Sequence, residues 1–206
     1  MKPPLPRLHA VTDERVARRP DVAAVAGALA GAGGGAVALH ARGGGACLTG
    51  RAHFTLATQF GDLASLLFVN DRLDVALAVH AAGVQLGRGS LPPIEARRLN
   101  AGWWIGRSVH SIEEARSAPA EGADYLLAGP VYATATHPEA APLGLERLGL
   151  IAEVGLPVIA IGGVTPARVR ELRAAGAYGV AAIRALWDAT DPARTVQEML
   201  MAMDDT

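Results

Sequence analysis

Short runs of β-forming residues recur eight times along this chain, and a segment rich in Ala, Leu, Arg and Glu follows nearly every one of them. The strands are nearly all apolar, which suits a parallel sheet covered on both faces. Eight β/α units in 206 residues predict a single-domain (β/α)8 TIM barrel over residues 1–206. A doubly wound open sheet is the alternative, but no GxGxxG motif follows the first strand. The predicted strands are Leu8–Val11, Ala36–His40, Ser65–Val69, Gly83–Leu86, Trp103–Val109, Tyr125–Ala128, Pro157–Ile161 and Gly179–Ile183.

Helix start signals support the same alternation. Ser111 with Glu114 forms a capping-box pattern, and Thr165-Pro166 pairs an N-cap residue with proline at the first helical position. Apolar residues at helical spacing fill 71–82 and 111–122. The chain is therefore expected to alternate strands and helices without a linker or a second domain.

Composition excludes several classes of function. The formal net charge is −1, so no electrostatic field favours nucleic acid or an anionic membrane. Lys2 is the only lysine and Cys47 the only cysteine, which excludes an interior Schiff-base lysine, a disulfide framework and a cysteine-based zinc site. No apolar stretch reaches the length of a membrane span, and the first residues lack a signal sequence. We expect a cytoplasmic protein without nucleic-acid or membrane partners.

The loops after strands seven and eight predict a phosphate site. Gly162 and Gly163 end a buried strand just before a helix begins, so backbone N–H groups can approach an anion there. Ile183 and Arg184 end the eighth strand, and barrels of this kind often hold a phosphate between these two loops. A tight turn that needs glycine is the alternative interpretation for the glycine pair.

Polar residues also follow the third and fifth strands. In the fifth strand Ser108 and His110 share one face, while Arg107 takes the other. Ser108 aimed into the barrel mouth can bind a ligand, and His110 either caps the next helix or reaches that ligand. After the third strand, Asn70 or Asp71 either caps a helix or binds a ligand or metal.

The loop at 129–142, GPVYATATHPEAAP, carries Thr134, Thr136 and His137 but no lysine. As the connection after the sixth strand, it is expected at the carboxyl-terminal face, where the function of such barrels gathers. Histidine is the side chain whose unperturbed pKa lies nearest neutrality, so His137 is a candidate for proton transfer. The alternative is a solvated loop histidine.

Seven motifs in order along the chain resemble the thiamine phosphate synthase superfamily, from about Leu8 to Leu186. The resemblance implies a (β/α)8 barrel acting on small phosphorylated thiamine precursors. The motifs are LHAVTDE, FVNDRLDVALAV, GVQLGRGSLPP, IGRSVHSIEEA, GADYLLAGPVYATATHP, GLPVIAIGGVTPARV and GAYGVAAIRAL.

The synthase branch joins hydroxymethylpyrimidine diphosphate to a thiazole phosphate, and this chain departs from it at three charged positions. The resemblance implies that Asp71 holds Mg²⁺, but Ser90 stands where the synthases carry a second aspartate. Arg42 and His137 occupy positions where the synthases have lysines. A diphosphate leaving group needs its charge neutralised, so these exchanges weigh against a Mg²⁺-dependent synthase.

The thiazole tautomerase branch resembles the chain in GRSVHS at 106–111, in the Gly89-Ser90 pair and in Arg42. This branch implies aromatisation of a carboxythiazole phosphate by proton transfer, without cofactor or metal. Pro130 stands where the presumed tautomerase histidine would lie, so His137 or His110 is predicted as the catalytic acid/base, and His40 is a further candidate.

The sequence therefore favours a tautomerase-like isomerase and keeps two alternatives: a thiamine phosphate synthase, and a non-catalytic sensor of a phosphorylated ligand. The expected ligand is a small phosphorylated thiazole or pyrimidine, and a homodimer is compatible with the sequence. The predicted substrate-binding residues are Arg42, Asn70, Arg107, Ser108, Thr134 and Thr136, beside the phosphate-binding Gly162, Gly163, Ile183 and Arg184.

Overall fold

Eight parallel strands close into a barrel in a computed structural model of the protein, which describes residues 2–43, 50–64, 66–134 and 139–204. Each strand pairs with its sequence neighbours, and β8 closes the ring on β1. The predicted (β/α)8 TIM barrel is confirmed. The strands are β1 (Leu8–Val11), β2 (Val37–Ala41), β3 (Leu67–Asn70), β4 (Gly83–Leu86), β5 (Trp104–Val109), β6 (Tyr125–Ala128), β7 (Val158–Ile161) and β8 (Gly179–Ala182).

Helices lie between the strands and surround the barrel. None of those in the described ranges combines the length and apolar character needed to cross a bilayer. The helices are α1 (Glu14–Ala17), α2 (Val22–Gly33), α3 (Gly50–Leu63), α4 (Leu73–Ala78), α5 (Pro93–Leu99), α6 (Ile112–Ser117), α7 (Gly144–Ala152), α8 (Val169–Ala174), α9 (Arg184–Trp187) and α10 (Pro192–Asp204).

The structure confirms one of the predicted helix N-caps and differs from the prediction at two other helix starts. Ser111 accepts a hydrogen bond from the Glu114 N–H, which confirms it as the N-cap of α6. Thr165 makes no side-chain cap, because the chain first turns through a short 3₁₀ segment, Pro166–Arg168, before α8 begins. Neither Asn70 nor Asp71 caps α4, whose N-cap is Arg72. These two residues are therefore available to the face of the barrel where β3 ends.

The apolar core of the protein has two layers. The outer layer lies between strands and helices, and it contains Phe60 stacked on Trp187 at 5.7 Å between ring centroids. The inner layer lies inside the barrel and includes Val11, Phe68 and Ile159. Unlike most barrel interiors it also buries polar groups, namely His9, His40 and Gln85.

Candidate functional site

A cavity of about 680 Å³ opens where the strands end. Its position agrees with the carboxyl-terminal face on which barrels of this type carry their sites. The structure brings together ten residues that the sequence singled out: Arg42, Asn70, Asp71, Ser108, His110, Thr134, Gly162, Gly163, Ile183 and Arg184. Thr136 and His137 lie outside the described residues, so their predicted roles stay predictions.

Arg107 does not line this cavity. Its guanidinium donates to the Gly87 carbonyl at 2.8 Å and lies 3.6 Å from the Glu121 carboxylate. The alternation along β5 therefore sends Ser108 into the barrel mouth and Arg107 to the other face, as the period-2 pattern predicts. Arg107 therefore lies outside the lining of this cavity, and its predicted role in substrate binding stays a prediction.

Asp71 is held in a conformation that few residues other than glycine adopt. Its φ of 63° places it in the left-handed region, where aspartate is tolerated better than most residues. The Oδ1 atom accepts hydrogen bonds from the Gly87 N–H, at 2.9 Å, and from the Ser90 hydroxyl. The loop after β4 thus fixes this carboxylate at the cavity wall, and such local strain is typical of functional positions.

The loops after β7 and β8 form a candidate anion cradle. Gly162 and Gly163 have φ values of 98° and 67°, which favour glycine, and both line the cavity together with Arg184. Arg168 also lines it: its guanidinium lies 4.2 Å from the Tyr132 ring centroid and donates to the Gly163 carbonyl at 2.6 Å. Backbone N–H groups beside guanidinium groups are suited to phosphate.

Replacement of Arg184 by alanine is expected to weaken the binding of inorganic phosphate roughly 10- to 100-fold, because one charge-assisted hydrogen bond contributes about 1.5–3 kcal/mol. Isothermal titration calorimetry measures this change directly. Arg98→Ala is the matched control, since Arg98 pairs with Glu95 at 2.7 Å and does not line the cavity. An Arg184→Ala protein with the affinity of the unmodified protein would remove this residue from the cradle.

Arg42 is positioned by Thr12, which follows β1. The Thr12 hydroxyl oxygen accepts from the Arg42 N–H at 2.9 Å and the hydroxyl lies 2.8 Å from the Arg42 carbonyl. In the described part of the chain, neither Arg42 nor Arg184 forms an ion pair with a carboxylate. In one cavity, two guanidinium groups that form no ion pair with a described carboxylate indicate an anionic ligand.

Ser108 and His110 both reach the cavity from β5 and the turn after it. Gln85 donates from Nε2 to the Ser108 oxygen at 2.9 Å, which leaves the serine hydroxyl proton available to a ligand. His110 Nδ1 lies 2.5 Å from the Gly129 carbonyl, and an acceptor there means that Nδ1 carries the proton. In the neutral ring Nε2 is then a base, so His110 retains the chemistry predicted for it.

A row of buried side chains leads from the barrel interior to the cavity. His9 Nε2 lies 3.0 Å from the Pro6 carbonyl, His9 Nδ1 lies 2.8 Å from His40 Nε2, and His40 Nδ1 lies 3.2 Å from Asn70 Oδ1. Both histidine side chains are fully buried, and Phe68 stacks on His40 with ring centroids 5.1 Å apart. His40 was a candidate from the sequence; its link to His9 was not.

Burial lowers the pKa of His9 from 6.5 to about 4, against the opposing effect of its hydrogen bond to Pro6. Burial, and next the neighbouring His9, also hold the pKa of His40 well below 6.5. The unfolded chain therefore binds more protons than the folded protein below pH 6.5, so stability is fully present above that pH and falls as the pH drops toward 4.

Urea unfolding at pH 7.5 and pH 5.0 is expected to show a free energy of unfolding lower by about 2 kcal/mol at pH 5.0 from His9 alone. His40 adds to the same loss. A His9→Gln/His40→Gln double variant is expected to show a smaller loss than the unmodified protein. If both proteins lost the same free energy of unfolding between pH 7.5 and pH 5.0, the two histidines would not be buried in their neutral form.

Two cavity residues, Arg168 and Arg88, and one residue of the buried row behind the cavity, His9, were not predicted from the sequence. Arg168 sits on the 3₁₀ turn after the glycine pair, and its spacing from Thr165-Pro166 was the available signal. Arg88 lines the cavity and pairs with Glu114 at 2.5 Å. His9 gave a weak signal, a polar residue in an otherwise apolar strand. Each depends on contacts between distant segments.

The fold and the cavity define a class of protein, a (β/α)8 barrel whose cavity, in the described residues, has a single carboxylate among several arginines. Comparison with known proteins narrows that class. A family model described as thiamine monophosphate synthase matches residues 8–186. The chain therefore belongs to the thiamine monophosphate synthase family of thiamine-biosynthesis enzymes.

Individual relatives agree with the family assignment. The chain is 39% identical to the thiamine-phosphate synthase of Pyrococcus furiosus, over 97% of this chain and 95% of the relative. It is 42% identical to that of Methanoculleus marisnigri, over 95% of each. With the Chloroflexus aurantiacus enzyme it is 44% identical, but the match spans only 62% of that relative.

Among solved structures, a thiamine phosphate pyrophosphorylase from Pyrococcus furiosus superimposes with a TM-score of 0.81. It is 34% identical in sequence, and the match covers 97% of this chain and 96% of that one. A 3-hexulose-6-phosphate synthase matches with a TM-score of 0.70 at 17% identity, which concerns the fold alone.

Proposed function

We propose that this protein is a thiamine phosphate synthase, which joins hydroxymethylpyrimidine diphosphate to a thiazole phosphate and releases diphosphate. The observation that carries the proposal is the placement of two charged regions in one cavity: Asp71 after β3, and the glycine–arginine cradle after β7 and β8. The names of the relatives support it. This replaces the tautomerase interpretation as the first choice, because relatives aligned along nearly the whole chain are named as synthases.

The two charged regions lie on opposite sides of the barrel. In a closed ring of eight strands, β3 and β7 are four positions apart in either direction. A ligand phosphate on Gly162 and Gly163 is therefore separated by the barrel mouth from a second anionic group near Asp71 and Arg42. Such an arrangement suits two phosphorylated substrates whose reacting atoms meet in the middle, over Ser108.

The family implies Mg²⁺, and Asp71 is the residue whose chemistry fits it. Its Oδ1 accepts two hydrogen bonds, from Gly87 and Ser90, while no described residue donates to Oδ2. Mg²⁺ in proteins is often held by one or two carboxylates together with substrate phosphate oxygens. Asp71 would hold the ion, which when bound neutralises charge on the departing diphosphate. In the described ranges no cluster of three or more His, Cys, Asp or Glu residues offers a metal site without substrate.

Other residues of this protein would stabilise the leaving group and orient the two substrates. Arg42, whose backbone Thr12 holds, contributes positive charge where diphosphate charge accumulates as the bond to it breaks. Arg184 and the glycine pair anchor the thiazole phosphate, which lowers the entropic cost of bringing the two substrates together. Ser108 offers a hydroxyl proton to whichever ring lies over the barrel axis.

A tautomerase remains the second candidate on one specific observation. Ser90, which replaces the second metal-binding aspartate implied by the family, donates its hydroxyl to Asp71 instead. A site with one carboxylate is suited to aromatisation of a carboxythiazole phosphate without metal. His110, with Nε2 unprotonated in its neutral form, would then be the proton-transferring base.

Two assays on the purified protein separate the candidates. With Mg²⁺ and both precursors, the proposal predicts thiamine phosphate formation that stops when EDTA is added. With carboxythiazole phosphate in EDTA, it predicts no acceleration over the buffer rate. Turnover in the second assay alone would replace the synthase by the tautomerase, and phosphate-ligand binding without either turnover would support a sensor.

A further inference from the structure

The buried row from Pro6 to Asn70 contains three hydrogen bonds, but its two histidines carry only two N–H protons when both rings are neutral. Three contacts link the row: Pro6 to His9, His9 to His40, and His40 to Asn70. The Pro6 carbonyl accepts only, so His9 Nε2 must carry a proton. The other nitrogen of a neutral His9 then accepts, and the proton between the two rings belongs to His40 Nε2.

The number of N–H protons on the neutral rings also determines which group donates between His40 and Asn70. A neutral His40 has one proton, which it has donated to His9, so its Nδ1 can only accept. An amide oxygen at 3.2 Å from that nitrogen would place two acceptors against each other. The conflict disappears when the Asn70 amide is turned by 180°, because nitrogen and oxygen of an amide have nearly the same shape and are assigned from their hydrogen bonds.

A doubly protonated His40 would also provide a donor for every contact in the row, but the surroundings of the ring disfavour its positive charge. The ring is fully buried, packs against Phe68 and His9, and has no carboxylate among its contacts in the described chain. Arg42 nearby adds a like charge that further disfavours an imidazolium, and burial already lowers the pKa of both histidines.

We propose that His9 and His40 are positioning residues that fix the Asn70 amide with its nitrogen on His40 Nδ1 and its oxygen offered to the cavity. Asn70 lines that cavity at the end of β3, beside Asp71. The site therefore presents a hydrogen-bond acceptor at this point, which selects a substrate with an N–H or O–H group there. The hydrogen-bond assignment does not depend on the reaction; the substrate preference rests on the proposed synthase function.

The tautomers can be measured without any substrate. Long-range ¹H–¹⁵N correlation spectra at pH 7 are expected to show His9 and His40 as neutral rings protonated at Nε2, and the Asn70 side-chain N–H shifted by its bond to His40. A His40 ring protonated at both nitrogens, or at Nδ1 alone, would overturn the proposal. In an Asn70→Asp variant, which has no N–H to donate, His40 is expected to become doubly protonated.

Kinetics test the consequence for the substrate. His40→Phe keeps a ring against Phe68 but removes both nitrogens, and we expect KM to rise roughly tenfold with little change in kcat, as for a lost binding interaction. His53→Gln is the matched control, because His53 is also buried but bonds the Ala41 carbonyl at 2.9 Å, outside the row. Equal KM values for His40→Phe and the unmodified enzyme would refute the substrate preference. An enzyme inactive in the synthase assay would refute the proposed function while the spectra still decide the hydrogen-bond assignment.

Discussion

Asp71→Asn is expected to reduce kcat/KM for thiamine phosphate formation roughly 100- to 1,000-fold, a loss comparable to removal of one major electrostatic group at a reacting centre. Asp71 is the only carboxylate among the described residues that line the cavity, so no neighbouring side chain replaces its charge. Asparagine tolerates the φ of 63° and keeps an oxygen for the Gly87 N–H. The variant is therefore expected to fold normally.

The control for this variant is Asp74→Asn. Asp74 lies on α4 and pairs with Arg72 at 2.6 Å, outside the cavity, and that pair holds its pKa at about 2. It is solvent-exposed, so its loss is expected to change stability little and turnover not at all. Steady-state rates with saturating Mg²⁺ compare the two variants, and an Asp71→Asn enzyme as active as Asp74→Asn would exclude Asp71 from the reaction.

Gly162→Ala is expected to lower the free energy of unfolding by about 2–5 kcal/mol, because two penalties act together. The φ of 98° disfavours any side chain, and a Cβ atom would lie 2.5 Å from Pro130 Cβ and 2.6 Å from its Cα. The backbone would have to move away from the loop after β6. Since Gly162 also lines the anion cradle, phosphate affinity is expected to fall with stability.

Gly155→Ala separates the two penalties. Gly155 has a similar φ of 90°, but a Cβ there would meet nothing within 4 Å in the described chain. We expect Gly155→Ala to lower the free energy of unfolding by about 1–2 kcal/mol, from the backbone penalty alone, as measured by urea titration. If Gly155→Ala and Gly162→Ala cost the same, close packing between the loops after β6 and β7 contributes nothing to the cradle.

The barrel followed from the sequence because its signal is repeated and local. Eight apolar strands, each detectable within a few residues, set the fold, and the strand boundaries differ from the predicted ones by no more than two residues. The rule that sites gather where parallel strands end then placed Asn70, Ser108 and the glycine pair correctly at the cavity.

The parts that local patterns could not predict are those made by contacts across the barrel. The pairing of His9 with His40 requires the register of β1 against β2, which no single segment encodes. The left-handed backbone at Asp71 likewise depends on the loop after β4, which contacts it through Gly87 and Ser90.

The central claim is that one cavity binds two phosphorylated substrates at opposite sides of the barrel and joins them. The most direct measurement is ³¹P NMR of a reaction containing the enzyme, Mg²⁺, hydroxymethylpyrimidine diphosphate and thiazole phosphate. The account predicts one equivalent of free diphosphate for each equivalent of thiamine phosphate formed, and neither product with Asp71→Asn on the same timescale. Unchanged substrate signals with the unmodified enzyme, or diphosphate released without thiamine phosphate, would contradict it.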